Sequence, residues 1–306
     1  MRTEFTPEQL ADPATAASEK AIRTCVHCGF CTATCPTYVL LGDERDSPRG
    51  RISLIQDMLE RGTKPTPEVV THIDRCLSCL ACTTTCPSGV DYMHLIDHAR
   101  AHVEETHRRP LMDRALRWML AKALPYRKRF TVALGIGRVF APLSELVASL
   151  PGGDRLAAML RMAKGNRAHA VKLNASAATG ARKGRVILQA GCAEPVLRPE
   201  FQAATSRLLN RLGYDVVRPP DEGCCGSLVH HMGREAEALG FIKRNIDVWS
   251  AAIESIDAII VTASGCGATI KDYGFMLRND PVYAARAARV SSLAKDITEF
   301  VGPGEM

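Results

Sequence analysis

The sequence predicts an α+β chain: a helix-rich, cysteine-bearing N-terminal region, then an α/β region built on a parallel sheet. Three observations carry this. The pattern C-x2-C-x2-C-x3-C-P occurs twice before residue 90, with helical spacing between the copies. After residue 185, three short apolar runs alternate with helical segments. A cysteine-free basic block separates the two, placing domain boundaries at 1–107, 108–184 and 185–306.

At 306 residues and 46% hydrophobic content the chain is long enough for about two domains, and disorder over most of it is excluded. Twelve cysteines are the departure from ordinary composition. The first twenty residues carry Glu4, Glu8, Asp12 and Glu19 and no apolar core, so no secretory signal is expected there. The most apolar stretch, Phe130 to Leu150, is interrupted by Arg138 and Glu145, which speaks against a transmembrane span. A cytoplasmic protein is expected, where metal ligation displaces disulfides as the use of so many cysteines.

In the first region, CVHCGFCTATCP supplies Cys25, Cys28, Cys31 and Cys35, and CLSCLACTTTCP supplies Cys76, Cys79, Cys82 and Cys86. Zinc sites also use C-x2-C pairs, but a third cysteine at the same spacing and a following proline, twice over, favour iron–sulfur chemistry. The spacing resembles that of bacterial two-cluster [4Fe-4S] ferredoxins, in which the fourth cysteine ligates the other cluster. That resemblance implies Cys25, Cys28, Cys31 and Cys86 at one cluster, with Cys76, Cys79, Cys82 and Cys35 at the second. Between the motifs, Ser47 and Pro48 read as an N-cap and first helical position, and Gly62 as a stop. Arg49 and Arg51 either balance the negative charge of a cluster or stay solvated.

Residues 101 to 185 hold 17 Lys and Arg against 5 Asp and Glu, while the rest of the chain is net acidic. Trp118, Met119 and Leu120 alternate with Arg114, Arg117 and Lys122 at helical spacing, so a basic amphipathic helix is expected, lying on an anionic membrane surface or packed on its own protein. No nucleic-acid motif accompanies the charge, so nucleic acid is not an expected partner. Asn174 to Gly184, rich in Ala, Ser and Gly, reads as a linker. Gly135 and Gly137 form a lone G-x-G, too little for nucleotide binding.

Beyond the block, VILQA, YDVVR and AIIVTA read as strands and the segments Pro199 to Leu212 and Arg234 to Ile253 as helices, a βαβαβ pattern. Cys192 follows the first strand, Cys224 and Cys225 the second in GCCG, and Cys266 the third in SGCG. Ligand crevices form beyond the carboxyl ends of parallel strands, so these four are a candidate further cluster or redox site.

Together, CVHCGFCTATCP, SPRGRI, CLSCLACTTTCP, GCCG and SGCGATIKDYG resemble the cysteine-rich CCG proteins of the heterodisulfide reductase type, and within them the iron–sulfur subunits of glycolate oxidases. The resemblance implies two [4Fe-4S] clusters in a ferredoxin-like domain and a CCG domain after it. It also implies FAD-containing partner subunits that oxidise a 2-hydroxy acid, with electrons passing toward a membrane acceptor. Subunits of anaerobic glycerol-3-phosphate or lactate dehydrogenases share the cluster motifs, and heterodisulfide reductases perform thiol–disulfide chemistry in the CCG region. Two departures stand out. Thr269 occupies the last cysteine position of the CCG pattern, with His230 or His231 as candidate replacement ligands. The chain also stops at Met306 before a second CCG repeat, and so reads as a C-terminally truncated form with an exposed apolar sheet surface.

Overall fold

The computed structural model describes residues 1–165 and 174–302; part of the basic block, 166–173, and the last residues, 303–306, lie outside the described residues. The chain forms two compact units, Met1–Arg114 with Val229–Glu235, and Ala115–Leu228 with Ala236–Met306.

The first unit is helical. Asp12 caps α1 (Pro13–Thr24), its carboxylate accepting from Thr15 N at 2.8 Å. Ser47 caps α2 (Pro48–Arg61), with Pro48 at the first turn and Gly62 closing the helix at φ 59°, as the sequence predicts. Gly50 abuts the preceding turn so closely that a Cβ there would lie 2.0 Å from the Glu44 carbonyl oxygen. Only glycine permits that approach, which explains its place in SPRGRI. Helices α3 (Pro67–Asp74) and α4 (Tyr92–Thr106) complete the frame. Ile22, Ile55, Ile73, Leu95 and Ile96 are fully buried between these helices. Each such side chain contributes roughly 1.5–3 kcal/mol.

The segment after the CCG motif belongs to this unit. His230 Nε2 lies 3.1 Å from Asp97 Oδ2 on α4, and His231 Nδ1 lies 3.3 Å from Asp97 Oδ1.

The second unit opens with the helices of the basic block: the end of α5 (Leu111–Ala123), then α6 (Arg127–Phe140), α7 (Ser144–Ala148) and α8 (Asp154–Gly165). The run Arg127–Ala148 is 22 residues long and holds an 18-residue window with a mean hydropathy of 1.4, of which 22% is buried; by length and composition alone it is long and apolar enough to cross a membrane. Arg138 and Glu145 both fall within this helical run. Glu145 is met by Arg161 of α8 at 3.1 Å.

A four-stranded, wholly parallel sheet follows in the order β2-β1-β3-β4. Its strands are β1 (Gly184–Leu188), β2 (Tyr214–Val217), β3 (Ala258–Val261) and β4 (Ala294–Asp296). Between them run α9 (Pro199–Arg211), α10 (Glu235–Ser250), α11 (Ser264–Met276) and α12 (Ala284–Leu293). Alternation along the strands sends side chains to opposite faces, and both faces are buried. Ile187, Ile259 and Val261 pack with Ile242, Ile246, Trp249 and Tyr273. Val186, Leu188, Val216 and Ile260 pack with Leu209. The sequence missed β4, whose three residues include Lys295 and Asp296 and show no apolar run. The expected linker is also ordered: Ser176 bridges to Val216 antiparallel, and Ser176 Oγ donates to Asn210 Oδ1 at 3.0 Å.

Burial would raise the Asp97 carboxyl, but the hydrogen bonds from His230 and His231 outweigh it and hold the group well below the usual range. Such a group stabilises the fold above its unfolded pKa of about 3.9 and loses that contribution as pH falls. Asp97→Asn therefore lowers stability by roughly 1–3 kcal/mol at pH 7. Thermal unfolding across pH should show the difference from wild type shrinking below about pH 4.

Candidate metal centres

Each ferredoxin-type motif curls its backbone so that its first three cysteines line one cavity. In the first, His27 and Gly29 take left-handed conformations at φ 56° and 86°; in the second, Ser78 and Leu80 do so at 49° and 56°. The two pairs occupy the same positions of the repeat, on either side of the second cysteine. Gly29 supplies this conformation freely, whereas Leu80 holds it against the Cβ penalty of an L-residue, about 1–2 kcal/mol. Such strain persists where the surroundings over-determine it.

One cavity is lined by Cys25, Cys28, Cys31 and Cys86, with Cys82 also in its wall. A second is lined by Cys35, Cys76, Cys79 and Cys82. Pro48, Cys82 and Tyr92 line both, so the two cavities adjoin. Cys25, Cys35 and Cys82 are buried, while Cys28 and Cys79 are exposed.

The donor set tests what such cavities hold. Burial, followed by the charges of Cys76, Cys31, Cys79 and Cys35, pushes the Cys82 thiol up to about 12. Burial likewise raises Cys31. Converging thiolates repel one another unless a cationic centre collects them, and an all-sulfur set is soft. The residues therefore fit iron–sulfur clusters.

Arg51 is fully buried beside the second cavity, its Nη1 3.9 Å from Cys35 Sγ. Tyr92 donates its hydroxyl to Cys76 Sγ at 3.7 Å. Arg49 is part-exposed and bonded to Glu44 at 2.6 Å. The structure thus separates two arginines that the sequence treats alike.

In the second unit, the remaining cysteines meet beyond the carboxyl ends of β1, β2 and β3. Cys192 contacts Cys224, Cys224 contacts Cys225, and Cys225 contacts Cys266. Hydrogen bonds from Cys192 and Cys225 lower Cys224, while the bond to Cys224 raises both of those partners. Gly226 N donates to Cys224 Sγ at 3.4 Å. Cys266 lies in the first turn of α11 rather than in a glycine-rich loop. Thr269, one turn on, is buried and donates to the Gly265 carbonyl at 3.1 Å. His230 and His231 engage Asp97 in the first unit, not the replacement-ligand role considered for them.

A fold of this kind, with two all-cysteine cavities in a helical unit and converging thiols at a parallel-sheet edge, defines an iron–sulfur protein with a cysteine-rich α/β module. A 4Fe-4S dicluster domain matches residues 21–90, and a cysteine-rich domain matches residues 186–271. The glycolate oxidase iron-sulfur subunit of Escherichia coli (strain K12) is 43% identical over 304 residues, covering 98% of this chain and 70% of that protein. A probable glycolate oxidase iron-sulfur subunit of Bacillus subtilis (strain 168) is 31% identical, covering 92% of this chain and 66% of its own length. Lactate utilization protein A of Bacillus pumilus (strain SAFR-032) is 27% identical over 117 residues, 38% of this chain and 48% of that protein. No solved structure matches. The chain belongs to the family of glycolate oxidase iron–sulfur subunits.

Sequence reasoning missed the polar residues that hold the CCG loop. Asn245, fully buried on α10, accepts from Gly223 N at 2.8 Å and donates to the Cys224 carbonyl at 2.9 Å. Tyr273 donates to the Cys225 carbonyl at 2.8 Å. Glu222 accepts from Ala190 N at 2.6 Å and from Trp249 Nε1 at 3.1 Å, tying the loops after β1 and β2; burial raises its carboxyl. Asn245 and Tyr273 sit on helices far in sequence from the loop they serve, and although Glu222 directly precedes GCCG, no local pattern shows that it reaches back to the loop after β1. Asn245→Leu leaves Gly223 N and the Cys224 carbonyl unpaired and is expected to cost roughly 1–3 kcal/mol per group in denaturant unfolding.

Proposed function

We propose that this chain is the electron-relay subunit of a complex in which FAD-containing partner subunits oxidise glycolate to glyoxylate, with a membrane component as the eventual acceptor. The observation that carries the reading is the gathering of Cys25, Cys28, Cys31 and Cys86 in one cavity and Cys35, Cys76, Cys79 and Cys82 in an adjoining one. When bound there, two [4Fe-4S] clusters supply one-electron carriers.

The protein's part is to hold the sulfurs, exclude water from the inner ones and leave an edge of each site accessible. Cys28 and Cys79 are exposed, and Val26, Phe30 and Leu77 present apolar surface on the same two loops. That suits contact with a redox partner. Cys192, Cys224, Cys225 and Cys266 are proposed as a third thiolate site. The glycolate assignment rests on the named relatives from E. coli and B. subtilis, which share most of this chain.

Localisation is proposed as cytoplasmic and peripheral at the membrane. Val132, Ile136, Val139, Leu143, Leu146 and Leu150 recur at alternating steps of four and three and are all exposed. Residues 115–165 carry nine Lys and Arg against Glu145 and Asp154. An exposed apolar stripe among basic residues matches a helix lying in an anionic lipid interface.

Anaerobically purified protein is expected to carry about eight irons and eight sulfides per chain, with iron beyond that number assigned to the CCG thiols. Mixing with the flavin subunits should make the clusters reducible by glycolate in preference to lactate, followed by EPR; preference for lactate would move the assignment to the lactate relatives. In flotation with anionic liposomes, Lys128→Gln with Arg129→Gln, or Val139→Asp with Leu146→Asp, should release the protein. Arg127 is left intact because it donates to the Gly191 carbonyl at 2.7 Å. Flotation unchanged by both pairs would remove the membrane from the reading.

A further inference from the structure

The two cysteine motifs repeat in sequence but not in electrostatics. At Cys35, Cys76, Cys79 and Cys82 the positive charge is internal. The Arg51 side chain is 1% exposed and its guanidinium is fully engaged: Nε donates to the His72 carbonyl at 2.7 Å, Nη2 to Thr37 Oγ1 at 3.1 Å and to Asp46 Oδ1 at 3.2 Å. Its Nη1 is turned to Cys35 Sγ. Asp46, itself fully buried, is shared with Arg75 at 2.9 Å and His72 at 3.0 Å, so its charge is not spent on Arg51 alone. The pair therefore presents its positive end to the sulfur. Arg100, also buried, donates to the Cys76 carbonyl at 2.6 Å and to Ser78 Oγ, and the Tyr92 hydroxyl reaches Cys76 Sγ.

At Cys25, Cys28, Cys31 and Cys86 the cations lie nearer the surface. Arg49 lines this cavity too, but its side chain is 33% exposed and paired with Glu44 at 2.6 Å. The amino group of Met1 lies on the Cys25 carbonyl at 2.9 Å, in a part-buried position, and on the exposed Arg23 carbonyl. Water and salt screen such charges, whereas a buried guanidinium acts through a medium of low polarity. Reduction adds negative charge to a cluster, and nearby buried cations or donors to its sulfurs favour the reduced form.

We propose that Arg51, held by Asp46, is a built-in countercharge that makes the site of Cys35, Cys76, Cys79 and Cys82 the more readily reduced of the pair. The proposal rests on the ligand sets given under Proposed function. It assigns a different task to each copy of the motif: the Arg51 side accepts and retains the electron, and the other side exchanges it at lower potential. Arg51 acts here through the sulfur ligand, as a tuning residue.

The test is a potentiometric titration followed by EPR on the full chain purified without oxygen. In Arg51→Gln, one cluster should become harder to reduce, its reduced-to-oxidised ratio at fixed potential falling about tenfold, which is ~59 mV for a one-electron couple. Arg51→Lys should restore most of that ratio, and Arg49→Gln should leave both clusters near wild type. Tyr92→Phe keeps the packing and removes only the hydroxyl, so it should shift the same cluster in the same direction by less; it decides the matter should Arg51→Gln fail to fold. Cys35→Ser identifies the cluster concerned. If Cys35→Ser alters one cluster and Arg51→Gln moves the other, or if Arg51→Gln and Tyr92→Phe move neither or both equally, the tuning is overturned while the ligand sets stand. If Cys35→Ser alters neither cluster, the ligand sets themselves are wrong.

Discussion

The first unit is governed by the need to bring four sulfurs, each negative when it ligates, within reach of one centre inside a protein. Left-handed residues at matching positions of both motifs curl the loops inward, and they are tolerated because the helical frame fixes each loop at both ends. The SPRGRI segment is the clearest product of this demand. Ser47 caps the helix, Pro48 lines both cavities, Gly50 allows the close approach to Glu44, and Arg51 carries a positive charge to the sulfur of Cys35.

The second unit solves a related problem by topology. Parallel strands end at one edge, so Cys192, Cys224, Cys225 and Cys266 meet although 74 positions separate the first from the last. Polar side chains from covering helices then fix the loops. Asn245 and Tyr273 each bond a cysteine carbonyl, and Glu222 joins two loops through a backbone amide and an indole. The thiols are thereby held without a ferredoxin-type spacing.

Much of this was legible beforehand. The duplicated spacing, the cap and stop of α2, three of the four strands and the cysteines at their ends follow from local patterns that recur because the backbone requires them. Other features were not legible, for identifiable reasons. β4 is short and half polar, and Asn174 to Gly184 looks like a linker by composition yet pairs with β2. His230 and His231 sit beside GCCG in sequence but turn to Asp97.

The sequence by itself determined the chemistry class, because ligand type and spacing are local properties of a loop and thiolates select their metals by softness. Only the tertiary structure decided what surrounds each sulfur. Whether Arg51 or Arg49 is buried, and which thiol Tyr92 reaches, depends on how helices distant in sequence pack, and burial is what turns a formal charge into an effective one.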